Sequence, residues 1–224
     1  MSYDVIVAAR GNCEYLQDCL LSIAEQSLLP NSVKLILDND DPHYGELQDI
    51  AKRKFPITEV RRSPGHGMIT AVNFGISLCS SEFIAFLDSD DLWETEKQQQ
   101  QIEALSANSR LDVVTSNALN VRKTQLSDQI SNWTPSLTFT SATFRRSAFQ
   151  KFGLIDVSAT HFNWLYRWWA FAYQAGISRL HLDSPGVKRR IHSSNSWVTQ
   201  NSRAHRDLFD ELRQIMHRQT HLEE

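Results

Sequence analysis

Three aspartates, Asp88, Asp90 and Asp91, stand within four residues directly after the apolar run of residues 83–87. Carboxylates crowded at the end of a buried strand repel one another unless a positive charge offsets them. Because Mg²⁺ and Mn²⁺ prefer carboxylate oxygens, one interpretation of this run is a divalent-metal site. The alternative is a solvated turn or a helix cap, where aspartate is also common. If the chain turns sharply after the strand, Asp88 and Asp90 can converge on one ion.

The elements around this run alternate between strand and helix patterns. Apolar, β-branched runs at residues 5–9, 33–37 and 83–87 are typical of buried parallel strands, and we expect a further short strand at residues 58–61. Helical spacing of apolar residues between these runs predicts crossover helices. The first ninety residues therefore predict an α/β fold with a mostly parallel central sheet flanked by helices. Polar residues follow each strand, at the edge where open α/β sheets bind ligands.

The second half of the chain is more varied. It predicts a strand at residues 113–115, a polar stretch at residues 122–133, a strand at residues 138–144 and an aromatic helix at residues 162–175. Residues 201–224 predict an amphipathic helix with apolar positions on one face. Packing of this helix on the domain is the favoured interpretation, and a homodimer contact or a membrane-surface helix are the alternatives.

Bulk composition excludes several classes of protein. The net charge is −3 and the pI is near 6.2, so no basic field predicts binding to nucleic acid. Three cysteines form a poor disulfide framework and fit a reducing compartment. No run approaches the roughly 18 apolar residues of a membrane span. We expect a cytoplasmic protein that can also work peripherally at the inner membrane face.

The acidic run and its surroundings resemble the family 2 glycosyltransferases, which have the GT-A (Rossmann-like) fold. Residues 83–93 resemble the metal-binding segment of that family, and residues 67–76 resemble the helix before it, with Asn73 and Gly75 at the positions of its Asn-x-Gly. Residues 5–12 and 35–41 resemble its first strand with the following loop and its second strand with an acidic turn. Four segments in the right order carry this resemblance over about the first hundred residues.

The resemblance implies a site for a nucleoside-diphosphate sugar, with a UDP-sugar favoured, and for a divalent metal, Mn²⁺ or Mg²⁺. Asp90 would contact the metal, and Asp88 would hold the ribose or the water shell of the metal. In a late basic segment, His192 would complete the metal shell and Arg190 or Arg189 would meet the diphosphate, unless that segment is only a surface strand. The other donor-binding residues implied are Ala9, Arg10, Asn12, Asp38, Asn39, Gly67, Met68, Asn73 and Ser89.

The general base is where the sequence departs from the family. Residues 160–167 contain no carboxylate, although the family carries an acidic pair at the start of the corresponding helix. Three explanations stay open. His161 replaces the carboxylate, since an imidazole can accept a proton near neutral pH; Asp156 is the base in a shifted alignment; or the base has been lost. A structural role for His161 beside a helix N-terminus is a further interpretation.

Aromatic residues of the second half are candidates for the acceptor side. Most of those at residues 164–169 are predicted to be core, and Trp164, nearest the helix start, is expected to stack on the acceptor. Trp133 in the preceding polar stretch is assigned a similar role. Residues 1–110 would then form the donor-binding half of one domain, residues 111–200 its acceptor-side half, and residues 201–224 the C-terminal amphipathic helix.

The predicted reaction is metal-assisted, inverting transfer of a hexosyl group to a hydroxyl acceptor, a saccharide or a lipid-linked saccharide. The resemblance points to synthesis of surface polysaccharide. The alternative from another class is a nucleotide-sugar-binding protein that has lost its base. A sugar nucleotidyltransferase is less favoured, because the loop of residues 9–12 is too short and too poor in glycine for a phosphate loop.

Overall fold

The computed structural model describes residues 1–11, 14–55, 57–123, 128–157 and 163–192. Strands and helices alternate through the first half of the chain, as the sequence predicts. These elements are β1 (Tyr3–Ala9), α1 (Leu16–Ala24), β2 (Ser32–Leu37), α2 (Tyr44–Lys54), β3 (Thr58–Arg62), α3 (Met68–Leu78) and β4 (Phe83–Asp88).

The second half of the chain adds shorter elements and extends the same sheet. They are β5 (Leu92–Trp93), α4 (Lys97–Ala107), β6 (Val113–Lys123), β7 (Asp128–Ile130), β8 (Thr134–Pro135), a 3₁₀ turn (Phe139–Ser141), β9 (Ala142–Arg145), α5 (Arg146–Phe152), α6 (Asn163–Gln174) and β10 (Arg179–Ile191).

One mixed sheet, in the order β3-β2-β1-β4-β9-β6-β10-β5, runs through the domain. The long pairings are parallel: β1 with β2 and β4, β2 with β3, and β6 with β10. The short strands β5, β7, β8 and β9 pair antiparallel. The predicted α/β fold with a mostly parallel central sheet and flanking helices is confirmed.

The core lies in two layers, one on each face of this sheet. Side chains alternate along a strand, so Val5 and Val7 pack in the layer with α1, α2 and α4, whereas Ile6 packs in the layer with α3, α5 and α6. Gly75 allows α3 to lie close to β1, because a Cβ at this position would stand 2.7 Å from a methyl carbon of Ile6. Because β1, β2, β3 and β4 run parallel, their carboxyl ends lie at one edge of the sheet, where the loops that follow them meet.

Several boundaries differ from the sequence predictions. α1 begins at Leu16, and Asn12, one of the implied donor-binding residues, lies outside the described residues. β6 continues to Lys123 because β10 pairs along it as far as Arg122. The predicted strand at residues 138–144 opens instead as the 3₁₀ turn, which the Ser141 hydroxyl closes by donating to the Thr138 carbonyl at 2.8 Å.

The predicted C-terminal amphipathic helix at residues 201–224 lies outside the part of the chain that the structure describes, and so does His161. Among the described helices, none is long and apolar enough to cross a membrane.

Candidate functional site

A cleft of about 400 Å³ opens at the carboxyl ends of β1, β2 and β4. The start of α3 closes one side of it, and the 3₁₀ turn, the start of α6 and the end of β10 close the other. The fold thus brings together residues that lie far apart in the sequence. The predicted site residues that line the cleft are Ala9, Arg10, Asp38, Gly67, Met68, Asp88, Ser89, Asp90, Trp164 and Arg190.

The acidic run forms a tight turn between β4 and β5. The Asp91 amide donates to the Asp88 carbonyl at 3.0 Å, which is the sharp reversal that convergence of these side chains requires. One carboxylate oxygen from each of Asp88, Asp90 and Asp91 lies within 4.8 Å of the others. Asp91 is buried and accepts the backbone N–H of Arg190 at 3.0 Å. His192 Nε2 stands 3.0 Å from a carboxylate oxygen of Asp90.

Electrostatics within this turn are unfavourable. Burial and the neighbouring Asp90 carboxylate raise the pKa of Asp88 to about 7, against the opposing influence of Arg189. Burial, followed by repulsion from Asp88 and Asp90, raises the pKa of Asp91 well above its ordinary value. Protein surrounds Asp88 on most sides, yet its carboxylate stays accessible from the cleft. A cation that enters the cleft can therefore reach it.

These residues fit a divalent metal. Three carboxylates supply the hard oxygen ligands that Mg²⁺ and Mn²⁺ prefer, and an imidazole nitrogen is a common metal ligand. His192 Nε2 and the Asp90 oxygen are hydrogen-bonded at 3.0 Å, and two neighbouring ligands of an octahedral ion with bonds near 2.1 Å would be about 3 Å apart, so both atoms could meet one ion with little movement. The donor set and its excess negative charge both suit a cation of charge +2.

Trp93 ties this acidic turn to the opposite wall of the cleft. Its indole N–H donates to the Thr140 carbonyl at 3.0 Å, and its backbone N–H donates to the Ser22 hydroxyl at 3.2 Å. In β5, Trp93 also lies opposite Val187 of β10. The two walls are thereby held at a fixed separation. The sequence placed Trp93 in the metal-binding segment but gave no sign of this contact.

Asp38 dominates the part of the cleft that follows β2. It is buried and accepts the Gly67 amide at 3.3 Å, and Arg10 Nη1 lies 3.3 Å from its carboxylate. Gly67 has φ +88°, a conformation that glycine adopts without strain, and this turns its amide toward Asp38. His66 Nδ1 stands 3.6 Å away. This carboxylate is therefore already surrounded by donors and positive charge.

Asp41 is a functional neighbour that the sequence predictions missed. It is buried, accepts the Gly11 amide at 2.8 Å and accepts the His43 amide at 2.8 Å. These bonds fix the loop after β1 to the loop after β2, so that both line the cleft in one arrangement. One feature of the sequence could have indicated Asp41, namely the dense run of aspartates before Pro42. Aspartate side chains in turns typically accept hydrogen bonds from nearby backbone amides.

Some predicted site residues lie elsewhere. Both ends of the Asn73 amide bond the backbone of Ile155, at 2.7 and 3.0 Å, and so this side chain joins α3 to the loop after α5 rather than lining the cleft. Asn39 is exposed, and its carbonyl accepts a hydrogen bond from Arg62. Trp133 is partly exposed and is not among the residues that line the cleft.

The candidate bases are not brought into the described cleft. Asp156 lies outside the cleft lining and is paired with Arg167 at 3.3 Å. His161 and Asn12 lie outside the described residues. Every carboxylate that lines the described part of the cleft comes from the last residue of β4 or from the loops after β2 and β4.

The aromatic helix α6 divides between core and cleft. Trp168 and Trp169 are buried, and their indoles donate to the carbonyls of Gly153 and Leu137, so the prediction that they are core is confirmed. Trp164 lines the cleft, with its ring edge-on to Phe139 at 5.5 Å between centroids. Leu165 and Tyr166 lie beside it.

Known proteins match both the sequence and the fold. Residues 4–168 match Glycosyl transferase family 2. The chain is 31% identical over 108 residues to the amylovoran biosynthesis glycosyltransferase AmsE of Erwinia amylovora. It is 29% identical over 107 residues to the putative teichuronic acid biosynthesis glycosyltransferase TuaG of Bacillus subtilis. Each alignment covers 47% of this chain, and they cover 39% of AmsE and 42% of TuaG.

Among solved structures, S. aureus TarS 1-349 in complex with UDP-GlcNAc matches with a TM-score of 0.71 and 14% identity. That match covers 96% of this chain and 65% of the TarS chain. The chain thus spans less than half the length of these curated relatives. The structural likeness, at this identity, shows the GT-A fold.

Proposed function

This chain belongs to glycosyl transferase family 2, and on that premise we propose that it transfers a sugar from a UDP-sugar to a hydroxyl group of a saccharide or lipid-linked saccharide. The observation that carries the proposal is the cleft at the carboxyl ends of the strands, where Asp88, Asp90 and Asp91 face Arg189. A divalent metal and a diphosphate together complement this mixture of carboxylates and a guanidinium.

The names of the matched proteins support the finer parts of the proposal. TarS 1-349 binds UDP-GlcNAc in its crystal structure, which supports a UDP-sugar as the donor. AmsE and TuaG are named for the biosynthesis of amylovoran and of teichuronic acid, which supports a place in surface polysaccharide synthesis.

On the nucleotide side, the loops after β1 and β2 hold the base and ribose. Asp38 has a buried carboxylate oriented by the Gly67 amide, so it can accept hydrogen bonds from a ligand without rearranging. Arg10 and Met68 provide a planar cation and an apolar surface at the same end of the cleft. Ala9 leaves room for the nucleotide beside them.

On the phosphate side, Asp88, Asp90 and His192 would hold a divalent metal, and Arg189 would face the diphosphate. When bound, the metal neutralises the negative charge that develops on the departing nucleoside diphosphate. Arg189 contributes a positive charge that is already present, since it lowers the pKa values of Asp88 and Asp91 from within the cleft. The enzyme therefore stabilises the leaving group with fixed charges.

On the acceptor side, the hydroxyl oxygen attacks the anomeric carbon from the face opposite the diphosphate. The new glycosidic C–O bond forms as the C–O bond to the diphosphate breaks, so the anomeric configuration inverts. Trp164 provides the surface on which the acceptor sugar stacks. The hydroxyl proton passes to His161, or to Asp156 if its pairing with Arg167 opens.

A non-catalytic donor-binding protein remains the second candidate, and one observation favours it. The described residues of the acceptor wall are Thr138, Phe139, Thr140, Trp164, Leu165 and Tyr166, which include no carboxylate or histidine. Such a protein would bind UDP and metal through the acidic turn but would transfer no sugar.

One set of assays tests the proposal and separates the two candidates. We expect UDP with Mn²⁺ to raise the melting temperature, because a ligand present at 100 times its Kd stabilises the native state by about 2.7 kcal/mol. UDP-sugars with a saccharide acceptor should release UDP and form product. His161→Ala and Asp156→Asn, assayed in parallel, identify the base as the variant that loses transfer but keeps UDP binding.

The controls set the limits of this test. GDP and dTDP with Mn²⁺ should give smaller shifts than UDP does. Absence of any shift with uridine nucleotides and Mn²⁺ would remove the donor site from the proposal. Binding without turnover, unchanged in both variants, would leave the non-catalytic protein as the function.

A further inference from the structure

Tyr15, directly before α1, contacts two residues from the far end of the described chain. The guanidinium carbon of Arg190 lies 4.8 Å from the centroid of the Tyr15 ring. The ring of His192 lies 5.0 Å from it, centroid to centroid, with the planes inclined by 35°. The sequence predictions gave Tyr15 no role, and the reaction proposed above does not use it.

Both residues that contact the Tyr15 ring are also hydrogen-bonded to the acidic turn. His192 Nε2 is 3.0 Å from an Asp90 oxygen, and the Arg190 backbone N–H donates to Asp91. Arg190 is also tied to α1 itself, because its Nη2 donates to Asp18 at 2.8 Å. One nitrogen of the Arg190 guanidinium is thus held by α1, and Arg190, like the neighbouring Arg189, lines the cleft.

Asp18 and Arg190 hold the end of β10 against α1, and Tyr15 fills the space between that end and the metal ligands. The Tyr15 ring is half-buried there, and the Arg190 side chain is 15% exposed. A histidine near the end of a strand can rotate about two side-chain bonds, so its nitrogen reaches a fixed point only if neighbours restrict it. The ring of Tyr15 packs on this imidazole.

We propose that Tyr15 is a positioning residue of the metal site, which orients His192 so that its Nε2 and the Asp90 carboxylate meet the same divalent cation. This inference rests on the proposed function, since it takes the acidic turn as the metal site. Groups that orient metal ligands typically change metal affinity by about 10- to 100-fold when they are removed. Because both contacts are made with the aromatic ring, a phenylalanine at this position can keep them.

Direct measurement of Mn²⁺ binding tests the role of Tyr15. Free Mn²⁺ is followed by EPR during titration of the full chain, with and without UDP. We expect Tyr15→Leu to raise the Kd for Mn²⁺ about tenfold, and Tyr15→Phe to stay within about twofold of the wild type. UDP affinity in the absence of metal should change less than about twofold. Tyr173→Leu, the same substitution at a half-exposed tyrosine of α6, is the matched control and should leave Mn²⁺ binding unchanged.

A double-mutant cycle decides whether the effect passes through the imidazole. If Tyr15 acts through His192, Tyr15→Leu should have no further effect on Mn²⁺ affinity in the His192→Ala background. An equal loss in both backgrounds would overturn the inference, as would wild-type affinity in Tyr15→Leu. Tyr15→Met, which keeps an apolar side chain of similar length, replaces Tyr15→Leu if that variant does not fold.

Failure of the proposed function gives a different result. If the wild-type chain binds no Mn²⁺ with or without UDP, the acidic turn is not a metal site and the proposed function falls with the inference. If the wild type binds Mn²⁺ and Tyr15→Leu binds it equally well, only the role of Tyr15 is wrong.

Discussion

Two acidic clusters at the same edge of the sheet have similar geometry and opposite electrostatics. The aspartates of the β2 cluster follow β2 and its histidine follows β3, whereas the β4 cluster lies at the end of β4, on the other side of β1. In each, three ligand atoms lie within 4.8 Å of one another, as a metal site requires. The β2 cluster consists of Asp38, Asp40 and His66, and the β4 cluster of Asp88, Asp90 and Asp91.

The difference lies in what balances the charge. Arg10 stands 3.3 Å from Asp38 and 3.9 Å from Asp40, and arginine keeps its charge at any relevant pH. A cation at the β2 cluster would have to compete with that guanidinium. In the β4 cluster, burial and mutual repulsion raise the pKa values of Asp88 and Asp91. Ligand spacing is therefore common to both clusters, and the larger excess of negative charge distinguishes the β4 cluster as the metal candidate.

The largest expected effect comes from removing one carboxylate charge at each cluster. Asp90→Asn should weaken Mn²⁺ binding at least about 100-fold and abolish metal-dependent transfer, because it removes a direct ligand. Asp38→Asn should weaken UDP binding about tenfold, as expected for one hydrogen bond to a charged group, and leave the Kd for Mn²⁺ within about twofold. Calorimetry with UDP and EPR with Mn²⁺ measure the two affinities.

Each of these variants serves as the control for the other, since both replace a carboxylate by its isosteric amide at a strand end. A loss of Mn²⁺ affinity in Asp38→Asn as large as that in Asp90→Asn would mean that the two clusters do not differ as we infer.

A smaller effect should appear in the pH dependence of stability without metal. The pKa of Asp88 is raised to about 7 in the folded chain, whereas an unfolded chain has a value of about 3.9. Between these values the folded state binds more protons than the unfolded state, so stability should fall as the pH rises from about 4 through 7. In EDTA, the melting temperature should drop by a few degrees over this range, since water in the cleft screens part of the repulsion.

Asp88→Asn should flatten this drop, because the amide does not titrate. Mn²⁺ added at pH 8 should restore the melting temperature of the wild type more than that of the variant. If the melting temperatures of the two proteins depend equally on pH, the Asp88 carboxylate carries no unbalanced charge in the folded chain.

The smallest expected effect tests whether charge compensation by Arg10 is the reason why the β2 cluster does not bind a metal. Arg10→Ala removes the guanidinium from the β2 cluster and leaves its three ligand groups in place. In an Asp90→Asn background, this change should create weak Mn²⁺ binding with a Kd on the order of 1 mM, typical of a weak oxygen site. EPR titration detects it.

Arg61→Ala is the matched control, because Arg61 is also exposed and pairs with a carboxylate, that of Glu59, on β3. It should create no Mn²⁺ binding in the same background. If Arg10→Ala also creates none up to about 10 mM, the β2 cluster lacks a metal site for a reason other than charge balance.

Local patterns in the sequence predicted the parallel half of the fold well. The apolar runs at residues 5–9, 33–37 and 83–87 match β1, β2 and β4 closely, because burial on both faces leaves a continuous apolar signature within five or six residues. The second half was predicted less well. β9 lies between β4 and β6, and β6 gains its length from β10, which follows more than fifty residues later in the chain. Pairing over that distance leaves no local pattern.

For the site, too, some residues could be placed from the sequence and others could not. The sequence was sufficient to bring Asp38, Asp88 and Asp90 to one edge, since parallel strands share their carboxyl ends. It could not show that Asn73 bonds Ile155, or that Arg190 bonds Asp18, 172 positions away. These contacts depend on which loops the tertiary structure brings together.

By itself, the sequence determined that two aspartate runs would end two buried strands. The runs are alike, Asp-Asn-Asp-Asp at residues 38–41 and Asp-Ser-Asp-Asp at residues 88–91. Only the tertiary structure decided that they differ, because it places the Arg10 guanidinium against the first run and leaves Asp91 of the second buried beside the carboxylates of Asp88 and Asp90. Charge balance depends on distances between groups that are remote in the chain, and such distances exist only once the sheet has formed.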